Sequence, residues 1–312
     1  MILKFLDAAL DELLAHPMSL RRVLAGLSKS GSGPTAAAPP RQPSLPSVAI
    51  SSVTQWHACR RHLVGSRPRG GYYECENPLA ALTHHEVITG FTCDIQDVVG
   101  LAASKSDLQR FADLDALAEM SAPDLIREIS EAALHRSLGH SGVRIQIGAQ
   151  IGNRTGADDF FACHAWDGRL FLVNSDGSHH FAAARYIAAR LGRAVPMTGA
   201  LHSYHIQPEA VARLRRDYAT YAVPRSDWPA IQDALESYRA PYLSTCLPDP
   251  HDHAVVLLPR REARATRVAA VLQKADRSLG MFDLGEHLAA LATRQAVHPG
   301  IGRRVVVGRP AP

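Results

Sequence analysis

One stretch of the sequence, residues 160–206, constrains the fold more than any other part of the chain. It opens with two strand-like apolar runs, residues 160–166 and 169–173, which are separated by Asp167 and Gly168. Glycine tolerates the positive φ that a two-residue hairpin turn requires. This order of residues therefore predicts a β-hairpin.

A tight turn, a helix and another strand are predicted after the hairpin. The turn has the sequence SDGSHH at residues 175–180. An alanine-rich helix is predicted over residues 178–191, with Gly192 as its C-terminal stop. A further apolar segment, residues 195–206, is predicted to be a strand. The predicted fold class is α+β, a small mixed sheet with this hairpin, helix and strand as its core, flanked by helices.

The rest of the chain shows weaker periodic patterns. Helices are predicted over residues 105–138, 207–222, 226–240, 261–279 and 284–296, and strands over residues 143–147, 254–258 and 303–307.

Composition along the chain predicts its division into segments. Leucines recur with helical spacing in the first residues, and residues rich in Gly, Ser, Pro and Ala follow, as is typical of a linker. We predict an N-terminal amphipathic helix over residues 1–27, a flexible linker over residues 28–47, an α+β core domain over residues 48–222, and a mainly helical C-terminal part over residues 223–312 that packs on the core.

Overall composition excludes several classes of protein. Of 312 residues, 46% are hydrophobic and 21% are charged, which is typical of a soluble globular protein. The formal charge of +4 is too small to indicate nucleic-acid binding by itself. Five cysteines without a CxxC motif indicate a reducing compartment. No apolar run approaches the roughly 18 residues of a membrane helix, so we expect a cytoplasmic protein with no membrane partner.

The SDGSHH turn is the predicted functional site. A helix that begins directly after a strand has unpaired backbone N–H groups at its N-terminus, and its dipole adds roughly half a positive charge there. Such an end binds anions, and phosphate is a common one. We expect Gly177 to allow close approach of the anion, and Asp176 or Ser178 to cap the helix.

Two adjacent histidines, His179 and His180, fall in the first turn of this helix. A neutral imidazole offers one donor and one acceptor, which suits phosphate oxygens or proton transfer. Asp176 would orient one imidazole and make it more basic. In the alternative interpretation, Asp176 caps the helix and both histidines are solvated at its end.

This stretch resembles the ParB/sulfiredoxin superfamily over residues 160–206. The shared pattern is a strand, a small-residue turn, a short basic motif, an alanine-rich helix and Gly-x-x-Val-Pro. In that superfamily the motif opens a helix and binds nucleotide phosphates. Gly177 matches the motif glycine, His179 the sulfiredoxin histidine or the first ParB arginine, and His180 the following arginine. Ser178 replaces the reactive cysteine of sulfiredoxins, which argues against sulfinic acid repair. The whole chain also resembles an uncharacterised bacterial protein family.

The resemblance and the turn together predict a nucleotide-phosphate-binding protein that is a candidate nucleotide hydrolase or phosphotransferase. The expected cofactors are a nucleoside triphosphate and Mg²⁺. His205, on the strand after the helix, borders the same pocket in a sheet of this kind. The predicted catalytic residues are Asp176, His179 and His180, and the predicted phosphate-binding residues are Asn174, Gly177, Ser178 and His205. No metal-ligand residues are predicted.

Three other interpretations stay open. A DNA-associated protein or nuclease would bind nucleic-acid phosphate at the same turn. A non-enzymatic interaction protein would bind a protein partner through residues 1–27. A metal-dependent hydrolase would use histidines, for example those of the segment His251-Asp252-His253.

Overall fold

A computed structural model gives the architecture of most of the chain. The residues that it describes are 16–30, 47–66, 71–141, 145–147, 159–275 and 279–297. Helices and sheets both occur, and they confirm the predicted α+β class. None of the helices described is long and apolar enough to cross a membrane.

Helices and strands are interspersed along the described residues. The eight α-helices there are α1 (Met18–Ser30), α2 (Leu114–Ser121), α3 (Glu131–His140), α4 (Ser178–Leu191), α5 (Pro208–Asp217), α6 (Trp228–Ser237), α7 (Ala263–Gln273) and α8 (Leu284–Val297). The strands are β1 (His62–Ser66), β2 (Tyr72–Glu76), β3 (Thr83–Asp94), β4 (Val98–Leu101), β5 (Gln146–Ile147), β6 (Phe160–His164), β7 (Leu170–Val173), β8 (Pro196–Ile206), β9 (Tyr218–Pro224), β10 (Tyr242–Cys246), β11 (His253–Pro259) and β12 (Phe282–Asp283).

The chain folds into two compact units, each with its own sheet. The antiparallel unit comprises Met1–Arg41, Thr54–Thr83 and Ile206–Thr293, and the mixed unit comprises Gln42–Val53, His84–His205 and Arg294–Pro312. The predicted division between residues 222 and 223 does not coincide with this one, because β9 pairs with β11 along its whole length. The segment predicted to be mainly helical contains β10 and β11 beside three helices.

The antiparallel unit is built on a sheet with the strand order β12-β9-β11-β10-β1-β2. Helix α7 covers it with four buried residues at spacings of three, one and three, which form a single helical face: Ala265, Val268, Ala269 and Leu272. They share a core with Val256 and Leu258 of β11. This unit contains most of the C-terminal third of the chain, Ile206–Thr293.

The mixed unit has the strand order β3-β8-β6-β7-β4, with β5 paired to β8. Strands β6 and β7 form the predicted hairpin, which turns at Gly168 with a φ of 81°. Helix α4 spans the predicted residues and ends at Gly192, whose φ is 64°. Strand β8 follows and pairs in parallel with β6. The predicted order of hairpin, turn, helix and strand is confirmed.

Helix α4 packs closely on helices α2 and α3 because its buried residues are small. Ala182, Ala184 and Ala188 are fully buried in the same core as Phe161 of β6 and Leu172 of β7. Close packing leaves no space for a longer side chain at these positions. The N-terminus of α4 is thereby held at one edge of the sheet.

Several predicted boundaries differ from the observed ones. Within residues 105–138, α2 begins after Asp113 and α3 after Ser130, and these two side chains accept the capping hydrogen bonds. Helix α5 ends at Asp217, because the following residues of β9 are mainly Tyr, Thr and Val, which favour strands. The linker prediction began at residue 28, but α1 continues to Ser30. Residues 1–15, 31–46 and the predicted strand 303–307 lie outside the described residues.

Candidate functional site

The predicted turn lies at an edge of the mixed sheet where two parallel strands end. Strand β4 pairs in parallel with β7, with Leu101 opposite Leu172. The segments that follow these strands, residues 102–106 and 174–177, therefore leave the sheet at the same edge. Helix α4 begins there at Ser178. The carboxyl ends of parallel strands are a common place for ligands in α/β sheets.

Asn174 holds the two segments together. Its Oδ1 accepts hydrogen bonds from the N–H groups of Ala102 and Ala103, at 3.2 Å each. Its Nδ2 donates to the carbonyl oxygens of Ala103 and Asp176, at 3.0 and 2.9 Å. An amide side chain has two donors and two acceptor lone pairs, so all four are occupied. Asn174 therefore positions the site and has no free group for its predicted role as a phosphate ligand.

Gly177 is required by the fold of the chain itself. It is the N-cap of α4 and has a φ of 76°, in the left-handed region that favours glycine. A Cβ at this position would overlap the carbonyl oxygen of Ser141, at the C-terminal end of α3. The close approach is thus made by backbone of the chain. This corrects the prediction that Gly177 leaves room for a phosphate group.

The predicted capping of α4 by Asp176 or Ser178 is wrong, because the N-cap residue is Gly177, which has no side chain, and no other side chain caps the helix. The Asp176 carboxylate accepts the N–H of Gly177 at 2.7 Å. The Ser178 hydroxyl donates to Oγ of Ser104 at 2.8 Å. Both side chains therefore bond outside the helix.

The first turn of α4 presents free backbone donors as a result. The N–H of Phe181 makes the first bond of the helix, to the carbonyl of Gly177. The N–H groups of Ser178, His179 and His180 find no acceptor among the residues that the structure describes. Such unpaired donors, together with the helix dipole, give this end roughly half a positive charge.

A short segment after β4, Ser104-Lys105-Ser106, lies against this turn; we call it the serine-lysine segment. Ser104 receives the hydroxyl of Ser178, and Oγ of Ser106 lies 2.9 Å from Nε2 of His179. Lys105 between them is exposed to solvent. The segment therefore places the Ser104 and Ser106 hydroxyls against the first turn of α4, with the exposed Lys105 between them in sequence.

The hydrogen bonds of the two serines fix where their protons are. The Ser106 hydroxyl donates its single proton to Oγ of Ser121, so it accepts from Nε2–H of His179. Nδ1 of neutral His179 is then an acceptor. Ser104 accepts from both the Ser178 hydroxyl and the N–H of Ser106, which leaves its own proton available to a ligand.

His180 lies at the outer side of the turn and stacks on His140, with 5.8 Å between the ring centroids. Burial lowers the pKa of His180, and the neighbouring charges of His140 and His179 lower it further, while Asp176 opposes them. The ring is therefore neutral at pH 7. Its Nδ1 is buried and makes no hydrogen bond within the described part of the chain.

The structure places His205 away from the turn. Strand β6 starts beside the turn, because Phe160 pairs with Val173 at the end of β7. Its last residue, His164, pairs with Tyr204 of β8. The four residue steps between them span about 13 Å along the strand. His205 follows Tyr204, so it lies at the far end of the strand and is not brought together with the other predicted site residues.

A cluster of rings occupies that far end. Tyr204 stacks on both His85 and His164, with centroid distances of 4.6 and 5.1 Å. Nε2 of His85 lies 3.2 Å from Nδ1 of His202. Burial lowers the pKa of His202, and His85 adds to the effect. Among the residues that the structure describes, no group of three or more His, Cys, Asp or Glu could hold a metal ion.

His251 and Cys163 are two weaker candidates for functional residues. Nε2 of His251 lies 2.6 Å from the hydroxyl of Thr54, and burial lowers the pKa of His251. Burial raises the pKa of the Cys163 thiol to about 11, so it is protonated and a poor nucleophile. The residue is 6% exposed, so Cys163 is a buried structural residue.

The sequence prediction did not place the serine-lysine segment in the site. The only local signal for it is a lysine between two serines, directly after an apolar run. The segment meets the turn because β4 and β7 pair in parallel, and Ala102 and Asn174 are 72 residues apart along the chain. A contact between residues so far apart cannot be found from local periodicity.

Comparison with known proteins gives one match. The model of a family described as a family of unknown function, DUF6685, matches residues 88–300, more than half of the chain. No curated protein matches the chain, and no solved structure matches it either. The comparisons assign no ParB- or sulfiredoxin-like segment. The chain therefore belongs to the DUF6685 family, whose function is unknown.

Proposed function

We propose that the protein binds the phosphate groups of a nucleotide between the N-terminus of α4 and the serine-lysine segment. The observation that carries this proposal is the convergence of donors at one place. The N–H groups of residues 178–180 have no acceptor within the described residues, the Ser104 hydroxyl bonds to Ser178 of the same turn, and the exposed Lys105 follows Ser104 in the chain. Phosphate oxygens are acceptors only and carry negative charge, so they match this set.

The neighbouring carboxylate supports binding of the nucleotide as its Mg²⁺ complex. Asp176 is exposed, and only its Oδ1 is used, by the N–H of Gly177. Mg²⁺ is usually held by one or two carboxylates together with substrate phosphates. The free Oδ2 of Asp176 would supply one such ligand. Mg²⁺ bound there would shield the charge of the phosphates.

His179 is the residue of the turn that best suits proton transfer. Its Nε2–H is held by Ser106 at 2.9 Å, which fixes the ring and leaves Nδ1 as an acceptor. A general base of this kind removes a proton from the attacking water or hydroxyl group. A nucleotide hydrolase or phosphotransferase would use His179 in this way. His180, whose pKa is lowered, would contact phosphate as a neutral donor.

A thermal-shift screen tests the binding. ATP, CTP and GTP with Mg²⁺ should each be compared with the corresponding nucleoside, which lacks phosphate. We expect at least one nucleotide to raise the Tm and its nucleoside to have no effect. Lys105→Ala should weaken the affinity about tenfold, because one charged contact to phosphate contributes about 1.5 kcal/mol. Lys274→Ala, which removes an exposed lysine of the antiparallel unit, should leave it unchanged.

A hydrolysis assay then separates binding from chemistry. His179→Ala should lower the rate of nucleotide hydrolysis by about 10² to 10⁴, the usual contribution of a general base, and leave the affinity nearly intact. Absence of any shift with every nucleotide would overturn the proposal. Tighter binding of DNA than of nucleotides, with a steep dependence on salt, would instead favour a nucleic-acid-binding protein.

A further inference from the structure

The long edge strand of the mixed sheet is a second surface with a specific chemistry. Strand β3 has 12 residues and is the first in the strand order, so among the described strands it pairs on one side only, with β8. Its residues 84–90 are exposed except for Ile88, which is half-buried. Val87 keeps 48% of its surface in solvent. The outward backbone groups of such a strand are a template for pairing with another chain.

The protective features of this edge are few: residues 84–90 carry one acid, Glu86, and one glycine with a φ of 69°, Gly90. Residues 84–90 contain no proline, lysine or arginine. The other edges among the described strands are protected: β4 and β12 have four and two residues, and β2 is short and carries the exposed acids Glu74 and Glu76. Natural proteins use short edges and charges to prevent such pairing. Strand β3 is therefore the edge on which another strand would add.

We propose that β3 pairs in antiparallel fashion with β3 of a second copy of this chain. The charges of the strand favour this occupant. His84 and Glu86 are two positions apart and lie on the same face of the strand. With His85 at the two-fold axis, His84 of each copy lies opposite Glu86 of the other, so each carboxylate faces an imidazole donor. Hydrogen bonds to a carboxylate are stronger than those between neutral groups, and the two-fold axis makes two of them.

The neighbourhood of these side chains agrees with this register. Burial lowers the pKa of His205 of β8, and Glu86 and His84 act on it in opposite directions, so both side chains lie near that residue. Thr83 of each copy would lie opposite the exposed Val87 of the other and cover it. The result is one sheet that continues through both copies, with the α4 site in each copy independent of the other.

Analytical ultracentrifugation of the full chain from about 1 to 100 µM tests the proposal. We expect a concentration-dependent dimer. Glu86→Lys places a cation opposite His84 and should raise the dimer Kd at least tenfold. The double variant His84→Glu with Glu86→Lys exchanges the charges and should restore dimerisation. Glu74→Lys, on the edge strand β2, should have no effect.

Circular dichroism and the Tm of each variant show whether it is folded. A wild-type monomer at every concentration would overturn the proposal. A dimer that Glu86→Lys leaves unchanged would overturn it as well, and so would a folded double variant that stays monomeric.

Discussion

Gly177 occupies a position that no other residue can fill without a shift of the backbone. Its residue type was easy to interpret from the sequence as a turn glycine, but the reason for it was not. The sequence could not show that the carbonyl of Ser141 lies where a Cβ would be, because Ser141 is on α3. The glycine is therefore structural, and the proposed anion site lies beyond it, at the free N–H groups of residues 178–180.

Substitution of Gly177 measures how much the left-handed backbone and the contact with Ser141 contribute to the requirement for glycine. Gly177→Ala should lower the free energy of unfolding by about 3 kcal/mol or more, because the left-handed backbone costs about 1–2 kcal/mol and the overlap with Ser141 adds to it. Gly192→Ala is the matched control: its φ is 64°, and an added Cβ would meet nothing within 4 Å. Gly192→Ala should lower the free energy of unfolding only by the cost of the left-handed backbone conformation, about 1–2 kcal/mol. Equal losses in urea denaturation would contradict the account.

Asn174 is the residue that joins the two halves of the site. Asn174→Ala removes four hydrogen bonds from a residue that is 5% exposed, so the free energy of unfolding should fall by about 2–4 kcal/mol. Nucleotide affinity should fall with it, because the serine-lysine segment loses its attachment. Asn77→Ala, at a buried asparagine of the antiparallel unit, should reduce stability but not affinity. An unchanged affinity in Asn174→Ala would show that the segment is not part of the site.

Elements formed by neighbouring residues were predictable, and their non-local pairing was not. The hairpin, α4 and its stop at Gly192 depend on residues close in sequence, and these predictions are confirmed. The predicted two-residue turn is wrong, because five residues, 165–169, join the two strands. The parallel pairing of β4 with β7 joins strands that are far apart in sequence, and it decides which loop lies beside the turn. His205 failed as a site residue for the same reason, since strand direction placed it at the far end of β8.

Substitutions of a buried and an exposed alanine test how α4 packs. Ala184 is fully buried in the core of the mixed unit, so Ala184→Leu should cost about 1–3 kcal/mol of unfolding free energy through overpacking. Ala189 is exposed on the same helix, and Ala189→Leu should change stability by no more than about 0.5 kcal/mol. Chemical denaturation of both variants measures the difference. Similar values for the two would mean that α4 does not pack as described.

The division of the whole molecule could not be predicted from composition. The antiparallel unit takes β1 and β2 from the first third of the chain and four more strands from the last third, while the mixed unit uses the residues between. A sequence reading that assumes continuous domains cannot find such an arrangement. The predicted class was nevertheless correct, because class depends on the kinds of element and not on their order.

The free energy of unfolding should fall on acidification, because several histidines have lowered pKa values in the folded protein. Burial lowers the pKa values of His180, His202, His205 and His251 below their usual 6.5. As the pH falls through 6.5, the unfolded chain binds protons that the folded chain does not, so stability is greatest above that pH and is lost below it. The urea midpoint should fall between pH 7.5 and pH 5.5. His202→Gln should reduce the dependence, and a midpoint that rises on acidification would contradict the assignment.

Amide NMR shows directly whether phosphate binds at the free N–H groups of α4, as we propose. A ¹⁵N-labelled sample should be titrated with the nucleotide that gives the largest thermal shift, in the presence of Mg²⁺. We expect the amide signals of Ser178, His179, His180 and Lys105 to shift most. The first three have N–H groups that would bind the phosphate, and the Lys105 ammonium group would pair with it. Saturable shifts confined to other residues, or none at all, would contradict this proposal.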